Sequence, residues 1–359
     1  MINIKDLKKI GYGYGFGGTF SKKAKYTQSH KKALKYFCQS NQGNFVDTSI
    51  LYGEGDSEKI IGNLKDNLKR KIFISTKVSS ENLKFKKFID SCNQSLKNLK
   101  LKKIDLIQPH WPNYDIKNEE IINAFRSLKR KNKVRFFGLS NYDLKDIKFF
   151  KKRLKNSFKF IQDEFSLRDR ELERKITFCE KNDIKIVCYS PFGAGGILYT
   201  KSELKLLNTL SEKYKKSLSV IILNFLASRS KNIILIPHTK KILHLRDNLS
   251  SLNFQISKAD LSKIDKCFKT KYIKLRLKSV VYFNRKYKKI RSLKDALNNT
   301  GSFSPSPKLL ASKLKKGHKL KPIKLKKIGK KYFLKEGRLR FWAHVIAFGW
   351  NKKIDMIIL

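Results

Sequence analysis

The stretch NFVDTSILYGEGDSEKIIG, residues 44–62, opens as a short buried strand and then breaks its apolar run on a carboxylate. Asn44-Phe45-Val46 is suited to a core, Asp47 stops it, and Tyr52 follows five residues later. Gly53-Glu54-Gly55 then turns the chain into a run with helical spacing. A strand that ends on an acid and a phenol, beside a glycine-rich turn and a helix start, is delivering polar groups to one end of a sheet.

The same rhythm recurs on both sides of this stretch. Short β-branched or aromatic runs fall at 44–49, 72–78, 104–110, 134–140, 159–165, 184–190 and 232–239, with an eighth in the glycine-studded IGYGYGFGG at 10–18. Helical spacing of apolar positions lies near 28–41, 57–70, 83–99, 117–131, 143–155, 171–182, 201–228 and 257–268. Eight strands alternating with helices over about 270 residues predict an α/β (β/α)8 TIM barrel, with the doubly wound open sheet as the competitor. The barrel is preferred because no strand is followed by G-x-G-x-x-G opening a helix, and the glycines at 11–18 have no helical pattern behind them until about residue 28.

After residue 270 the alternation stops. Residues 271–359 are expected to form a second, smaller α+β domain, with a Ser/Pro turn at 302–307, a short helix, two strand-like runs around a Gly-Lys turn, and a final amphipathic helix at 338–348. The whole chain of 359 residues carries a formal charge of +53. The segment 271–359 holds 26 Lys and Arg against 3 Asp and Glu, so it is more than twice as densely positive as the first 270 residues. Lysines spread over every predicted helix read as solvated faces, whereas the tail's density would also suit a nucleotide or nucleic acid.

A hydrophobic content of 40% fills a sizeable core, and no window approaches the roughly 18 uninterrupted apolar residues of a membrane span. The opening MINIKDLKKIGYG lacks the apolar core of a secretory signal, so a cytoplasmic location without membrane partners is expected. Five scattered cysteines with no C-x-x-C pair read as reduced and structural, and suggest no metal site.

In a barrel of this kind, polar residues at the carboxyl ends of strands face the active-site mouth. Those ends carry Asp47, Lys77 and His110, with Tyr52 on the loop after the second strand. A tyrosine with a pKa near 10 is a poor acid at neutrality. A neighbouring ammonium is expected to lower that value, and a carboxylate behind it to keep the lysine charged and aimed. A histidine facing the same pocket can orient a carbonyl oxygen. The set suits reversible proton transfer to a carbonyl oxygen while a hydride reaches its carbon.

At this point residues 8 to about 268 resemble the aldo-keto reductase superfamily. FVDTSILYGEGDSEKIIG resembles its signature around the catalytic Asp and Tyr, ISTKV its catalytic lysine strand and DLIQPHWP its catalytic histidine strand. GLSNYD, IQDEFSLRDRELE, CYSPFGAGGIL and IPHTKKILHLRDNLSSL resemble its nicotinamide and phosphate-binding segments, in the family's order. The resemblance implies an enzyme interconverting an aldehyde or ketone and an alcohol. Tyr52 would be the general acid, Lys77 and Asp47 its tuning pair, and His110 the carbonyl orienter. Ser140, Asn141 and Gln162 would hold the nicotinamide carboxamide, Tyr189 would stack on its ring, and Ser190, Phe192 and Gly193 would follow the diphosphate. Thr239, Lys240, His244, Asp247 and Asn248 would hold the adenosine part. Lys240 and His244 near a 2′-phosphate imply NADPH, with NADH the alternative. Two positions depart from the usual pattern: Pro109 directly before His110, and His238 where many members carry Gly or Lys.

In the tail, LLASKLKKGHKLKPIKL followed by KKYFLKEGRLRFWAHVIAFGW resembles the ParB/sulfiredoxin-like fold, on Gly317, Pro322, Ile323, Gly337, Arg340 and Ala343. That resemblance implies a phosphate or nucleotide site at Gly337, Arg338 and Arg340, where a helix begins. Sulfiredoxin chemistry is not expected, because the tail has no cysteine. Two readings follow: an NADPH-dependent reductase of a small carbonyl compound, and a catalytically idle cofactor-binding barrel whose basic tail binds nucleotide or nucleic acid.

Overall fold

The structure, a computed structural model, describes residues 2–15, 26–193, 199–282, 290–300 and 305–358. The expected strand at 10–18, the motif CYSPFGAGGIL and the turn at 302–307 therefore lie partly outside the described residues.

Eight parallel strands form one sheet in chain order: β1 (Tyr12–Gly13), β2 (Phe45–Asp47), β3 (Phe73–Val78), β4 (Ile104–Pro109), β5 (Val134–Ser140), β6 (Phe158–Glu164), β7 (Lys185–Tyr189) and β8 (Ile233–Leu235). A parallel bridge between Ile10 and Leu235 closes the sheet into a barrel, with Gly11 N donating to Leu235 O at 2.8 Å. The open sheet is thereby excluded. Helices α1 (Gln28–Gln39), α2 (Asp56–Gly62), α3 (Asp66–Lys69), α4 (Phe85–Leu99), α5 (Asn118–Arg130), α6 (Leu144–Leu154), α7 (Glu173–Lys181), α8 (Lys201–Tyr214), α9 (Leu218–Ser228), α10 (Ile242–Ser250) and α11 (Lys258–Cys267) fill the connections.

Two expected helices are each split. Lys215 adopts φ +51° and ends α8, so 201–228 becomes two helices, and an extended Lys65 separates α2 from α3 within 57–70. Helix α10 is absent from the expected helices, although Ile242, Leu245 and Leu249 carry its period.

One inward layer takes a residue from almost every strand: Phe45, Phe73, Leu106, Phe136, Phe160, Val187 and Ile234. Burying side chains of this size stabilises by about 1.5–3 kcal/mol each. Strand side chains alternate, so two residues further along each strand the same face reappears one layer nearer the carboxyl ends. There it presents Asp47, Ser75, Gln108, Gly138, Gln162 and Tyr189. The apolar layer is thus a floor beneath a polar one.

The chain divides into two compact units, the second comprising Pro112–Lys117, Asp143–Asp146 and Lys269–Leu359. Its five-stranded mixed sheet has the order β10 (Val280–Val281), β12 (Lys331–Glu336), β11 (Ile323–Ile328), β13 (Lys353–Ile358), β9 (Lys271–Arg276). Helices α12 (Leu293–Leu297), α13 (Pro307–Lys315) and α14 (Arg338–Phe348) accompany it, and Leu277, Ile323, Leu325, Phe341, Trp342 and Met356 form its core. The strands at 271–276, 280–281 and 353–358 go beyond the two strand-like runs expected there. Four of the five cysteines are buried and all are free thiols. Among the described residues no helix is long and apolar enough to cross a membrane.

Candidate active site

The floor of the site is a hydrogen-bonded polar layer. Ser75 Oγ donates to Asp47 Oδ1 at 3.2 Å and Gln162 Nε2 to Asp47 Oδ2 at 3.2 Å. Gln108 Nε2 reaches both Ser75 Oγ, at 3.4 Å, and Gln162 Oε1. Every member is buried, so each bond removes a desolvation cost that the group would otherwise carry.

Lys77 stands one layer higher on β3. Its Nζ donates to Asp47 Oδ2 at 2.6 Å and to Thr48 O at 2.8 Å, with both charged side chains almost wholly buried. The ammonium lies 5.3 Å from the centre of the Tyr52 ring. Tyr52 Oη is 3.5 Å from His110 Nε2, and the two rings meet edge to face. Asp47, Tyr52, Lys77 and His110 are therefore brought together in one buried cluster.

Pro109 does not misdirect His110. Strand β4 stays in register with β3 through Val78 and Pro109, and His110 N donates to Val78 O at 2.8 Å. A proline tolerated at this point loses only a donor. Trp111 stacks flat on the imidazole, with centroids 3.9 Å apart and planes at 5°. His110 titrates well below its ordinary value because it is buried and faces the Lys77 charge, so it is neutral near pH 7.

The phenol departs from the expected electrostatics. Burial holds Tyr52 well above its ordinary value of 10.0, and the Asp47 carboxylate pushes in the same direction. The neighbouring ammonium was expected to lower it. Burial outweighs that effect, because desolvation of the phenolate is the largest cause and the Asp47 carboxylate adds to it. Tyr52 is a phenol, not a phenolate, throughout the neutral range.

Around this cluster, the same end of the barrel carries the other expected positions. Asn141 sits at φ +67°, donates through Nδ2 to His110 O at 3.1 Å and to Ser140 Oγ at 3.0 Å, and accepts from Tyr189 Oη at 2.7 Å. Ser190 follows at φ +52°, and Gly193 at φ +81° donates its N–H to Ser190 O at 2.8 Å, with half-buried Phe192 between them. Left-handed backbone at Asn141 and Ser190 is the kind of local strain that accumulates at working sites. Gln162 lies deeper, with its amide engaged by Asp47 and Gln108. After β8, Thr239 O accepts from Tyr12 Oη at 2.6 Å and Thr239 Oγ1 from Lys241 N at 3.1 Å. Lys240 and His244 are exposed, Asp247 accepts from Ser217 at 2.9 Å, and Asn248 is buried. His238 Nδ1 donates to Gly13 O at 2.8 Å, tying β8 to β1, and burial lowers its pKa to about 4.

The family model described as the aldo/keto reductase family matches residues 9–269. The chain belongs to that family. It is an NAD(P)H-dependent oxidoreductase. The reductase is 27% identical over 227 residues to methylglyoxal reductase YeaE of Escherichia coli (strain K12), covering 62% of this chain and 79% of that one. It is 26% identical over 239 residues to a glyoxal reductase of Bacillus subtilis (strain 168), covering 67% and 82%. Its fold is similar to a thermostable aldo-keto reductase solved with the inhibitor epalrestat, with a TM-score of 0.66, 25% identity, and coverage of 73% and 95%. It is also similar to an aldo-keto reductase from Klebsiella pneumoniae solved with NADPH, at a TM-score of 0.63, 19% identity, and coverage of 73% and 91%.

Several residues that shape the reductase's site were not among the expected ones. Glu58, wholly buried on α2, accepts from Thr76 Oγ1 at 2.6 Å and from Asn98 Nδ2 at 2.8 Å, so it ties the helix after the Tyr52 loop to the strand of Lys77. Gln108 carried a usable signal, since a polar residue two before His110 on a strand shares its face. Gly15 carried none. Its φ lies outside the left-handed region, so the backbone does not require glycine; the Tyr52 ring does, because a Cβ there would stand 2.6 Å from Cε2 and 2.7 Å from Cζ. Gly15→Ala is therefore expected to displace the phenol, lowering stability by about 1–3 kcal/mol and turnover with it. Denaturant melts and steady-state rates check this; wild-type values for both would mean that the ring has slack the packing denies.

In the second unit, Gly337 at φ +96° opens α14 and Arg340 lies three residues on. Arg340 donates to Pro322 O at 2.8 Å and to Glu336 at 3.0 Å, and Lys324 pairs with the same Glu336 at 2.8 Å.

Proposed function

We propose that this reductase interconverts a small aldehyde or ketone and its alcohol with NADPH, and that Tyr52 is the proton donor and acceptor. The observation that carries the reading is the buried Asp47–Lys77 pair behind a buried phenol whose Oη lies 3.5 Å from His110 Nε2. When bound, the nicotinamide supplies a hydride to the carbonyl carbon. The chain's own part is electrostatic and geometric. The Tyr52 phenol hydrogen-bonds the carbonyl oxygen and delivers its proton as charge develops there. His110 holds that oxygen from a second side, and Lys77 with its partner Asp47 places a positive charge beside the phenolate that remains.

The donor set fits NADPH. Exposed Lys240 and His244 flank the first turn of α10, where unpaired backbone N–H groups favour an anion, and together they would take the 2′-phosphate. Ser140 and Asn141 would hold the carboxamide, Tyr189 the ring face, and Ser190, Phe192 and Gly193 the diphosphate; Thr239, Asp247 and Asn248 would line the adenosine part. Gln162 would act through Asp47, holding the carboxylate that holds Lys77. Titration of nicotinamide fluorescence tests this: Lys240→Ala should weaken NADPH by about tenfold and leave NADH nearly unchanged. Equal losses for both cofactors would remove Lys240 from the phosphate site.

A pH prediction follows from the raised phenol. Carbonyl reduction needs protonated Tyr52, so its kcat/KM should have no basic limb from this residue below the phenol's ordinary value of 10.0. Alcohol oxidation needs the phenolate, so its kcat/KM should climb with pH across the same range. A basic limb for reduction near neutrality would contradict the assignment. Methylglyoxal is the first substrate to try, because two of the similar proteins are named for 2-oxoaldehydes.

The second unit is proposed as a separate domain. Its ParB/sulfiredoxin-like reading, with a phosphate site at Gly337, Arg338 and Arg340, rests on the sequence match alone, and the reductase reading does not depend on it.

A further inference from the structure

We propose that Ser49 is a positioning residue that sets the tautomer of His110, placing the imidazole proton on Nε2, where it faces Tyr52 and the substrate's carbonyl oxygen. The inference rests on the reductase reading for its purpose but on hydrogen-bond accounting for its content. Ser49 Oγ lies 3.1 Å from His110 Nδ1, and Leu51 N donates to the same Oγ at 3.2 Å. Ser49 has no exposed surface and His110 is 4% exposed.

A hydroxyl has one proton to give and two lone pairs. With Leu51 N–H occupying one lone pair, two arrangements remain. If Nδ1 carried the proton, Ser49 Oγ would accept twice and its own hydrogen would need an acceptor elsewhere, at a position with no exposed surface. Among the described residues the hydrogen bonds of Ser49 Oγ are those to Leu51 N and His110 Nδ1. A buried donor left without an acceptor is costly, so the hydroxyl donates and Nδ1 accepts. A neutral imidazole that accepts at Nδ1 must carry its proton on Nε2.

The surroundings hold this arrangement rigid. Ser57 Oγ donates to Ser49 O at 3.3 Å and is 2.6 Å from Thr48 Oγ1, which pins the segment after β2 to α2. Trp111 covers one face of the imidazole, and Nε2 looks along its edge at Tyr52 Oη, 3.5 Å away. The consequence is a fixed direction of donation: Leu51 N–H to Ser49, Ser49 O–H to Nδ1, and Nε2–H outward. Two donors, Tyr52 Oη and His110 Nε2, then converge on one carbonyl oxygen. With the other tautomer, Nε2 would present a lone pair to that oxygen and repel it.

The test is the 15N spectrum of His110 in uniformly labelled full-length protein at neutral pH, assigned by comparison with His110→Gln, together with kinetics of Ser49→Ala and Ser49→Thr. The wild type should show the Nε2–H tautomer. Ser49→Ala should move the spectrum toward the Nδ1–H form or a mixture and lower kcat/KM by about two- to tenfold, with NADPH affinity unchanged. Ser49→Thr, which keeps the hydroxyl, should restore both. An Nδ1–H wild type, or Ser49→Ala with the tautomer and kcat/KM both unaltered, would overturn the proposal. A wild type with Nε2–H that turns over no carbonyl would support the tautomer assignment and overturn the reductase reading instead.

Discussion

Tyr52→Phe is expected to lower kcat for carbonyl reduction by about 10²–10⁴-fold, the usual worth of a positioned acid, while NADPH affinity stays within a factor of about two. The substitution removes one oxygen and keeps the ring. The ring is what packs against Gly15 and lies beside Lys77, so the fold and the charge pair behind it should survive. The loss falls on kcat because the missing hydrogen bond is strongest where negative charge develops on the carbonyl oxygen. His110 cannot replace the phenol as acid, since its burial beside Lys77 keeps the ring a neutral imidazole and not an imidazolium at neutral pH. Single-turnover hydride transfer measures the effect free of product release. Turnover within about twofold of wild type would take the proton-transfer role away from Tyr52.

Lys77→Met should be costly in two separable ways. It leaves the Asp47 carboxylate, 2% exposed, without the ammonium that sits 2.6 Å away. Breaking a buried pair from one side costs about 3–5 kcal/mol, because an uncompensated charge remains in a medium that cannot solvate it. Ser75 and Gln162 still donate to that carboxylate and soften the loss without removing it. Asp47→Asn combined with Lys77→Met removes both charges and should recover most of the stability. Activity should not return in either variant, since the positive charge beside the phenolate is gone. Denaturant midpoints for the single and double variants, read beside their rates, make the comparison; a double variant as unstable as Lys77→Met alone would mean that the charge imbalance is not what the single substitution costs.

The barrel and the clustering of Asp47, Tyr52, Lys77 and His110 were legible because both depend on local pattern. Strand runs alternate with helical spacing, and an inward strand position announces itself when it is polar at the end of an apolar run, as Asp47, Lys77 and His110 do. The helix breaks at Lys65 and Lys215 were not legible, because a lysine in either conformation carries no propensity signal comparable to glycine or proline. Ser49, Ser75 and Glu58 escaped notice for a related reason: their roles come from partners 18 to 61 residues away, visible only once the strands are in register. The sign of the Tyr52 shift escaped as well. Sequence places an ammonium and a carboxylate near the phenol but says nothing of depth, and depth decides it. In the second unit, the strands Lys271–Arg276, Val280–Val281 and Lys353–Ile358 came only with the structure, because their partners lie tens of residues away and each run is too short or too mixed to announce itself.

The most direct measurement is NADPH oxidation by the full-length protein with methylglyoxal and a panel of small aldehydes and ketones, followed by analysis of the alcohol formed. Carbonyl reduction at Tyr52 predicts at least one substrate converted with one NADPH consumed per alcohol produced, and that turnover lowered by about 10²-fold or more in Tyr52→Phe. A folded chain that binds NADPH yet reduces no member of the panel would contradict it and leave the barrel as a cofactor-binding domain without chemistry.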